Sequence, residues 1–183
     1  LRPAFMRFSA AQASELAGLL RQTAQAEILP RFRKLASGDI RTKSSPLDLV
    51  TQADEAAERV LTTELSARFP GALILGEEAT AADPTMLARM LDAELCFIID
   101  PVDGTANFAA GVPLFGVMVS AVHQGETIAG WIHDPMGDDT VIGLRGEGAW
   151  VEAPSGTRMD CRVAPPQPLG AMLGAISWGY LPP

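Results

Sequence analysis

The sequence has 183 residues, of which 48% are hydrophobic, so it can form one large domain with a substantial core. Its formal net charge of −8 argues against nucleic acid or an anionic membrane surface as the main partner. The same charge is compatible with an anionic ligand, because divalent cations bound between the ligand and the protein reverse the local sign.

Three features of the sequence predict a cytoplasmic protein that does not cross a membrane. The two cysteines, Cys96 and Cys161, are too few for a disulfide framework. The N-terminal residues 1–8 include arginines and lack the apolar core of a signal peptide. The longest apolar stretch, residues 111–122, is too short to span a bilayer.

The N-terminal part of the chain is predicted to be helical. Apolar residues recur at helical spacing from Ser9, the expected N-cap, to Leu35, with a kink at a late proline. A second helix is predicted to end near residue 69 and to begin at Thr51 or Asp54, since either side chain can cap a helix. From this pattern alone, Asp54 needs no role beyond capping.

A short buried strand over residues 72–75 leads into Glu77 and Glu78. Two acidic residues after an apolar strand are typical of a solvated turn where the chain leaves a sheet. A further helix is predicted within residues 79–92, starting near Pro84.

Residues 96–108 suggest a functional site most directly. An apolar run over residues 96–99 predicts a strand. Pro101 is expected to end the hydrogen bonding of this strand, Gly104 to allow a sharp bend, and Thr105 to cap a following helix.

Asp100 and Asp103 frame a tight loop within this segment. Their carboxylates suit Mg²⁺, which usually shares its coordination shell with water and phosphate. The loop is expected to run into a helix N-terminus, where free N–H groups and the helix dipole favour a bound phosphate. The alternative is an ordinary acidic turn, because Asp, Pro and Gly are common turn residues.

Antiparallel strands are predicted beyond this segment, over residues 113–122, 127–133 and 140–144, with hairpin turns between them. His123 and His133 lie on separate strands without the spacing of a zinc site, so structural roles are expected for both.

Residues 100–108, Asp-Pro-Val-Asp-Gly-Thr-Ala-Asn-Phe, resemble the first signature of the inositol monophosphatase family, Asp-Pro-(Ile/Leu)-Asp-Gly-Thr-x-Asn-(Phe/Tyr). Val102 is the single, conservative departure. Residues 43–54, 76–78 and 146–149 resemble further blocks of the same family. The resemblance implies the α+β / α/β layered sandwich of the inositol monophosphatase and fructose-1,6-bisphosphatase type, with helices packed on a large, mainly antiparallel sheet.

The resemblance also implies Mg²⁺-dependent hydrolysis of a small phosphate monoester, by default inositol monophosphate, through direct attack of metal-bound water on the phosphorus. Two or three Mg²⁺ ions are expected. The implied metal ligands are Glu77, Asp100, the backbone carbonyl of Val102, and Asp103. The implied catalytic residues are Asp54, Thr105 and Glu77. The implied phosphate-binding residues are Asp103, Gly104 and Thr105, with Glu78 supporting the ligands by hydrogen bonding.

The resemblance divides the chain in two. Residues 1–168 would form the N-terminal metal-binding half, which ends in a proline-rich linker. Residues 169–183 would begin the C-terminal α/β half, with an apolar strand from Gly170 to Trp178. The family's second signature, Trp-Asp-x-Ala-Ala-Gly, whose Asp completes the second metal site, does not occur in the sequence. We therefore expect the sequence to be part of a longer protein.

Two alternatives stay open. The same first signature serves phosphatases of histidinol phosphate, fructose 1,6-bisphosphate, 3′-phosphoadenosine 5′-phosphate and NADP. The alternative from another class is a non-catalytic metal-binding or interaction module, if the chain ends at Pro183. The expected partner is a small phosphorylated metabolite, with no nucleic acid and no membrane, and a homodimer is expected by analogy with the family.

Overall fold

A computed structural model of the chain describes residues 7–43 and 49–174. The helices are α1 (Ala10–Thr23), α2 (Gln52–Arg68), α3 (Glu77–Ala82), α4 (Met86–Arg89) and α5 (Thr105–Ala109). The strands are β1 (Ile40–Thr42), β2 (Leu49–Thr51), β3 (Leu73–Gly76), β4 (Leu95–Asp103), β5 (Gly116–His123), β6 (Glu126–Asp134), β7 (Asp139–Leu144), β8 (Gly148–Glu152) and β9 (Arg158–Cys161). No helix in the described ranges is both long and apolar enough to cross a membrane.

The strands β3 to β9 form one sheet, in which their spatial order follows the chain. β3 and β4 are parallel, and every other neighbouring pair in this sheet is antiparallel. β1 and β2 form a separate antiparallel pair. Together with the helices, this large and mainly antiparallel sheet confirms the predicted architecture.

The helices α1 and α2 pack on one face of the large sheet. Leu20 of α1 and Leu61 of α2 are fully buried in one core with Phe97 and Trp131 of the sheet. Each such side chain contributes roughly 1.5–3 kcal/mol through burial. The indole N–H of Trp131 also donates to the carbonyl oxygen of Ala13 at 2.9 Å. The core therefore fixes both helices, including the N-terminal turn of α2, relative to the sheet.

The first helix begins as the sequence predicts but ends earlier. Ser9 is the N-cap and forms a capping box with the third helical residue. After α1 the chain makes a π-helical turn over Ala24–Ile28 and a 3-10 turn over Leu29–Arg31. The proline in the second turn has no N–H, and Arg33 has a φ of 58°, so the helix does not continue to Leu35.

Two other predicted elements differ from the structure. The sequence predicts one helix starting near Pro84, whereas α3 begins directly after β3 and the proline separates it from the single turn of α4. The chain forms a 3-10 turn over Leu169–Ala171, and residues 172–174 contain no strand. The rest of the strand predicted from Gly170 to Trp178 lies outside the described residues.

The opposite face of the sheet is covered by α4 near β3 and carries an apolar groove of about 470 Å³ farther along. Ile98, Met118 and Ile132 contribute to the lining of this groove, and Ile132 is 50% exposed. Asp100 is also part of the lining. The groove therefore connects an open apolar surface with one of the predicted metal ligands.

Candidate active site

Glu77 and Asp100 come directly after the residues that pair β3 with β4. β3 and β4 run parallel, and Gly76 pairs with Ile99 at the last position of their shared register. The next residue along each strand is an acid, Glu77 in one case and Asp100 in the other. Strand pairing thus brings the two carboxylates together at the carboxyl ends of the shared stretch of β3 and β4. Ligands usually bind at the carboxyl ends of strands in α/β structures.

The strand β4 continues past Asp100, so the prediction that Pro101 ends it is wrong. Asp100 pairs with Met118 of β5 and Asp103 pairs with Gly116, so β4 holds one extra residue over this stretch. Such a bulge tolerates a proline because its extra residue lies outside the regular ladder. The bulge separates the partly buried Asp100 from Asp103, which is exposed.

Gly104 turns the chain from β4 into α5. Its φ of 92° lies in the left-handed region that favours glycine. A Cβ atom at this position would lie 3.0 Å from the carbonyl oxygen of Leu114. Gly104 is the N-cap of α5 and Thr105 is the first helical residue, so the predicted capping role of Thr105 is wrong.

The hydroxyl of Thr105 instead contacts Asp54. Its oxygen lies 3.0 Å from Oδ1 of Asp54 and 3.0 Å from the carbonyl oxygen of Val102. Asp54 is fully buried, and its Oδ2 accepts hydrogen bonds from the backbone N–H and the hydroxyl of Thr51, the N-cap of α2. Burial raises the pKa of Asp54, while the hydrogen bonds from Thr51 and Thr105 act in the opposite direction. Asp54 therefore supports its own helix with one oxygen and Thr105 with the other.

Asp100 has a strongly raised pKa at this position. Burial, followed by the negative charges of Glu77 and Asp103, raises the pKa of Asp100 to about 7. The Oδ1 atom of Asp100 is buried and has no hydrogen-bond partner among the described residues. A buried carboxylate oxygen without a partner is costly, so this atom is suited to binding a cation.

Lys43 neutralises part of the acidic cluster. Its ammonium nitrogen lies 2.8 Å from Oε1 of Glu77 and 2.6 Å from Oε1 of Glu78. Burial by itself lowers the pKa of Lys43, but the hydrogen bonds and charges of the two glutamates outweigh it and raise the pKa above its ordinary value. Burial also raises the pKa of Glu78, and the hydrogen bond from Lys43 opposes that change.

These side chains fit a hard divalent cation such as Mg²⁺. Glu77, Asp100 and Asp103 offer only oxygen donors, and Asp100 Oδ1 has no protein partner in the described part of the chain. Within residues 7–43 and 49–174, no three His, Cys, Asp or Glu side chains gather closely enough to hold a metal by themselves. Mg²⁺ commonly completes its shell with water and substrate phosphate, so it does not require three closely grouped protein carboxylates.

The structure brings together most residues that the sequence singles out. Asp54 contacts Thr105 directly, and the charge of Asp103 acts on Asp100. Sequence reasoning missed Lys43 as a functional residue, although it opens one of the quoted blocks. It also missed Glu58, whose carboxylate contacts the first turn of α3, because this contact follows from no local spacing.

Sequence comparison decides the family. The model of the inositol monophosphatase family matches residues 11–176. The chain belongs to the inositol monophosphatase family. An inositol-1-monophosphatase of Mesorhizobium japonicum is 40% identical over 106 residues, which is 58% of this chain and 38% of that protein. Inositol monophosphatase 1 of Bos taurus is 35% identical over 112 residues, which is 61% of this chain and 39% of that protein.

Solved structures of related proteins share the fold. The extragenic suppressor protein SuhB of Bartonella henselae superimposes with a TM-score of 0.64 at 30% identity, covering 85% of this chain and 55% of that one. An inositol monophosphatase of Thermotoga maritima gives a TM-score of 0.65 at 26% identity, and the match covers 77% of this chain and 51% of that one. The chain thus spans about half of these structures and less than half of the curated relatives.

Proposed function

We propose that the protein hydrolyses a small phosphate monoester in the presence of Mg²⁺, with inositol monophosphate as the default substrate. The observation that carries this proposal is Asp100, a partly buried carboxylate beside Glu77 and inside the family's first signature. One of its oxygens has no hydrogen-bond partner among the described residues. The activity is proposed for the intact protein, because this chain spans about half the length of its solved relatives.

The proposed metal ligands are Glu77, Asp100, the carbonyl oxygen of Val102, and Asp103. Bound Mg²⁺ would supply Lewis-acid chemistry, because it neutralises phosphate charge and lowers the pKa of a bound water. Two solved structures of this fold contain divalent cations. One is an inositol monophosphatase (IMPase)/NADP phosphatase in complex with Mg²⁺ and phosphate. The other is a Ca-bound IMPase family protein from Staphylococcus aureus. At 24% and 22% identity they share the fold with this chain, so the metal proposal rests on the chain's own carboxylates. The number of ions, two or three, stays a prediction.

Asp54 and Thr105 are proposed to accept a proton from the attacking water. The Thr105 hydroxyl can donate to Oδ1 of Asp54 over 3.0 Å, which leaves the hydroxyl oxygen able to accept from water. Burial raises the pKa of Asp54 and makes its carboxylate a better base. A proton passed from water to Thr105 Oγ1 would therefore be matched by one passed from Thr105 to Asp54.

The backbone N–H groups of Gly104 and Thr105 are proposed to bind the substrate phosphate directly. Asp103 is proposed to contribute to phosphate binding through the cation that it would hold, because its carboxylate has the same sign of charge as the phosphate. The first N–H groups of an α-helix have no partner within the helix, so those of α5 can serve an anion. Because α5 has only five residues, its dipole is short, and direct N–H hydrogen bonds would dominate. Glu78 would support Glu77 through their shared partner Lys43.

The test is phosphate release from inositol monophosphate by the intact protein, with and without Mg²⁺, for the unmodified protein and for Asp103→Asn. Asp103 is exposed, so the variant should fold normally while losing most activity at limiting Mg²⁺. Asp160→Asn is the matched control, because Asp160 is exposed, lies on β9 and has no place in the proposed site. Unchanged turnover by Asp103→Asn at limiting Mg²⁺ would refute the metal assignment.

The other phosphate esters of the family are the second set of substrates for this assay. Turnover of histidinol phosphate, fructose 1,6-bisphosphate, 3′-phosphoadenosine 5′-phosphate or NADP in preference to inositol monophosphate would replace the default substrate and keep the reaction class. The homodimer expected by analogy and the cytoplasmic location expected from the sequence stay predictions.

A further inference from the structure

Glu58 links the helix that carries Asp54 to the helix that begins with Glu77. Its side chain is buried, and Oε2 accepts the backbone N–H of Glu78 at 2.7 Å, while Oε1 accepts the N–H of Ala79 at 2.9 Å. These N–H groups belong to the first turn of α3, which has no partner for them within its own helix. A carboxylate of α2 therefore caps α3.

The sequence leaves room for this contact at Gly76, the N-cap position of α3. Gly76 has no side chain to cap the helix, and its φ of −87° is open to any residue. A Cβ atom at this position would lie 2.1 Å from Cδ of Glu58 and 2.4 and 2.5 Å from its carboxylate oxygens. Gly76 thus leaves space that the Glu58 carboxylate fills, and a larger residue at this position would have to displace that carboxylate.

The contact joins both sides of the proposed site through one rigid element. Asp54 and Glu58 lie one turn apart on α2, and the first bonds Thr105 while the second holds the start of α3. Glu77 and Glu78 are the first residues of α3, so their direction depends on how this turn is held. Residues that hold metal ligands in place commonly control metal affinity without touching the metal.

We propose that Glu58 is a positioning residue for the metal site, which sets the direction of Glu77 and Glu78 by capping α3 through the space left at Gly76. The proposal rests on the proposed function in one respect, because it takes Glu77 to be a metal ligand. Beyond the proposed function, Glu58 would be a site residue outside the family's first signature, and Gly76 would have a steric role.

The experiment measures Mg²⁺ binding to the intact protein by titration calorimetry and phosphate release as a function of Mg²⁺ concentration. The variants are Glu58→Ala, Glu58→Gln, Gly76→Ala and the double variant Glu58→Ala/Gly76→Ala. Glu64→Ala is the matched control, because Glu64 is on the same helix, its side chain is 46% exposed, and it forms an ion pair with Arg68 one turn away. Thermal unfolding of every variant shows that binding is measured on folded protein.

Glu58→Ala is expected to raise the Mg²⁺ dissociation constant about tenfold, the lower end of the range for groups that orient metal ligands. Glu58→Gln should have a smaller effect, since its amide oxygen can keep one of the two hydrogen bonds. Gly76→Ala should weaken binding by displacing the Glu58 carboxylate, without removing any charge. In the double variant the added methyl group meets no carboxylate, so Gly76→Ala should have little further effect.

Three results separate the hypotheses. If the unmodified protein does not bind Mg²⁺, the proposed function fails and this inference fails with it. If the unmodified protein binds Mg²⁺ and the Glu58 and Gly76 variants bind it equally well, only the inference is overturned, and Glu58 stabilises the fold alone. Additive effects of Glu58→Ala and Gly76→Ala would also overturn it, because the two residues would then act independently. If Glu58→Ala does not fold, Gly76→Ala gives the same test.

Discussion

The hydroxyl oxygen of Thr105 lies 3.0 Å from Oδ1 of Asp54, although the two residues are 51 positions apart in the sequence. The contact joins the first residue of α5 to the first turn of α2. It places a polar pair at the point where the bulged strand β4 ends, next to the carbonyl oxygen of Val102.

Removing the Thr105 hydroxyl from this pair should strongly reduce activity while the protein still folds. Thr105→Ala is expected to reduce kcat by about 10²–10⁴-fold, the usual contribution of a positioned proton acceptor. The free energy of unfolding should fall by about 1–3 kcal/mol, because Oδ1 of the buried Asp54 loses this hydrogen bond. Thr105→Ser, which keeps the hydroxyl, should retain most activity. Phosphate-release kinetics and urea unfolding measure both quantities, and equal kcat for the Ala and Ser variants would contradict the proton-transfer role.

Replacing Lys43 should have opposite effects on metal binding and on the stability of the metal-free protein. Lys43→Met frees Oε1 of Glu77 from its ion pair, so Mg²⁺ should bind more tightly. The same change leaves Glu77 and Glu78 without their cation, and the metal-free protein should lose roughly 1–3 kcal/mol, less than for a fully buried pair. Calorimetric titration and urea unfolding without metal give the two values.

The control for Lys43 is Arg68→Met, which breaks an exposed ion pair with Glu64 on α2. Exposed pairs of this kind contribute about 0.3–0.5 kcal/mol, so this variant should change neither quantity appreciably. Weaker Mg²⁺ binding by Lys43→Met would show that the ammonium helps to assemble the site rather than competing for Glu77.

His133 should make stability depend on pH in the acidic range. Its ring is buried and contacts the hydroxyl of Thr140 at 3.0 Å. Burial, followed by the charge of Arg21, lowers the pKa of His133 below 6.5, although a backbone hydrogen bond with Asp139 and then the charges of Asp138 and Asp134 oppose this. Below pH 6.5 the unfolded state therefore binds more protons than the folded state, and the contribution of this residue to stability is lost as the pH falls.

The variant His133→Asn should be less sensitive to pH over this range. The stability of the unmodified protein relative to the variant should drop by at most about 1.4 kcal/mol per pH unit below pH 6.5. Comparing the two proteins at each pH cancels the titration of other groups, such as Asp100. Urea unfolding between pH 5 and pH 8 measures the difference, and parallel curves would contradict the assignment.

Gly104 should be much less tolerant of alanine than another glycine with positive φ. Gly104 and Gly125 have φ values of 92° and 80°, but only at Gly104 would a Cβ meet another atom, the carbonyl oxygen of Leu114 at 3.0 Å. Gly125→Ala should cost about 1 kcal/mol through backbone strain alone. Gly104→Ala should cost about 2 kcal/mol or more, because a backbone contact adds to that strain. Urea unfolding measures both values. Equal losses of unfolding free energy for the two variants would show that backbone strain alone explains both effects.

The sequence by itself predicted those parts of the structure that depend on local spacing. Alternating apolar residues predicted β5, β6 and β7, and Ser9 predicted the start of α1. The segment from Asp100 to Phe108 predicted the family, because it is long and specific. Local rules failed where the tertiary structure competes with them. Pro101 does not end β4, since pairing with β5 continues through a bulge, and Thr105 does not cap α5, since its hydroxyl reaches Asp54.

Only the tertiary structure decided which side chains meet. The parallel register of β3 and β4 brings Glu77 beside Asp100, and the packing of α2 on the sheet brings Asp54 to Thr105 and Glu58 to the start of α3. Lys43 reaches Glu77 and Glu78 from a segment 34 and 35 positions away. Such contacts depend on strand register and on the way helices pack, which residue spacing along the chain does not encode. The sequence thus determined the residue types and the local turns, and the fold determined the site.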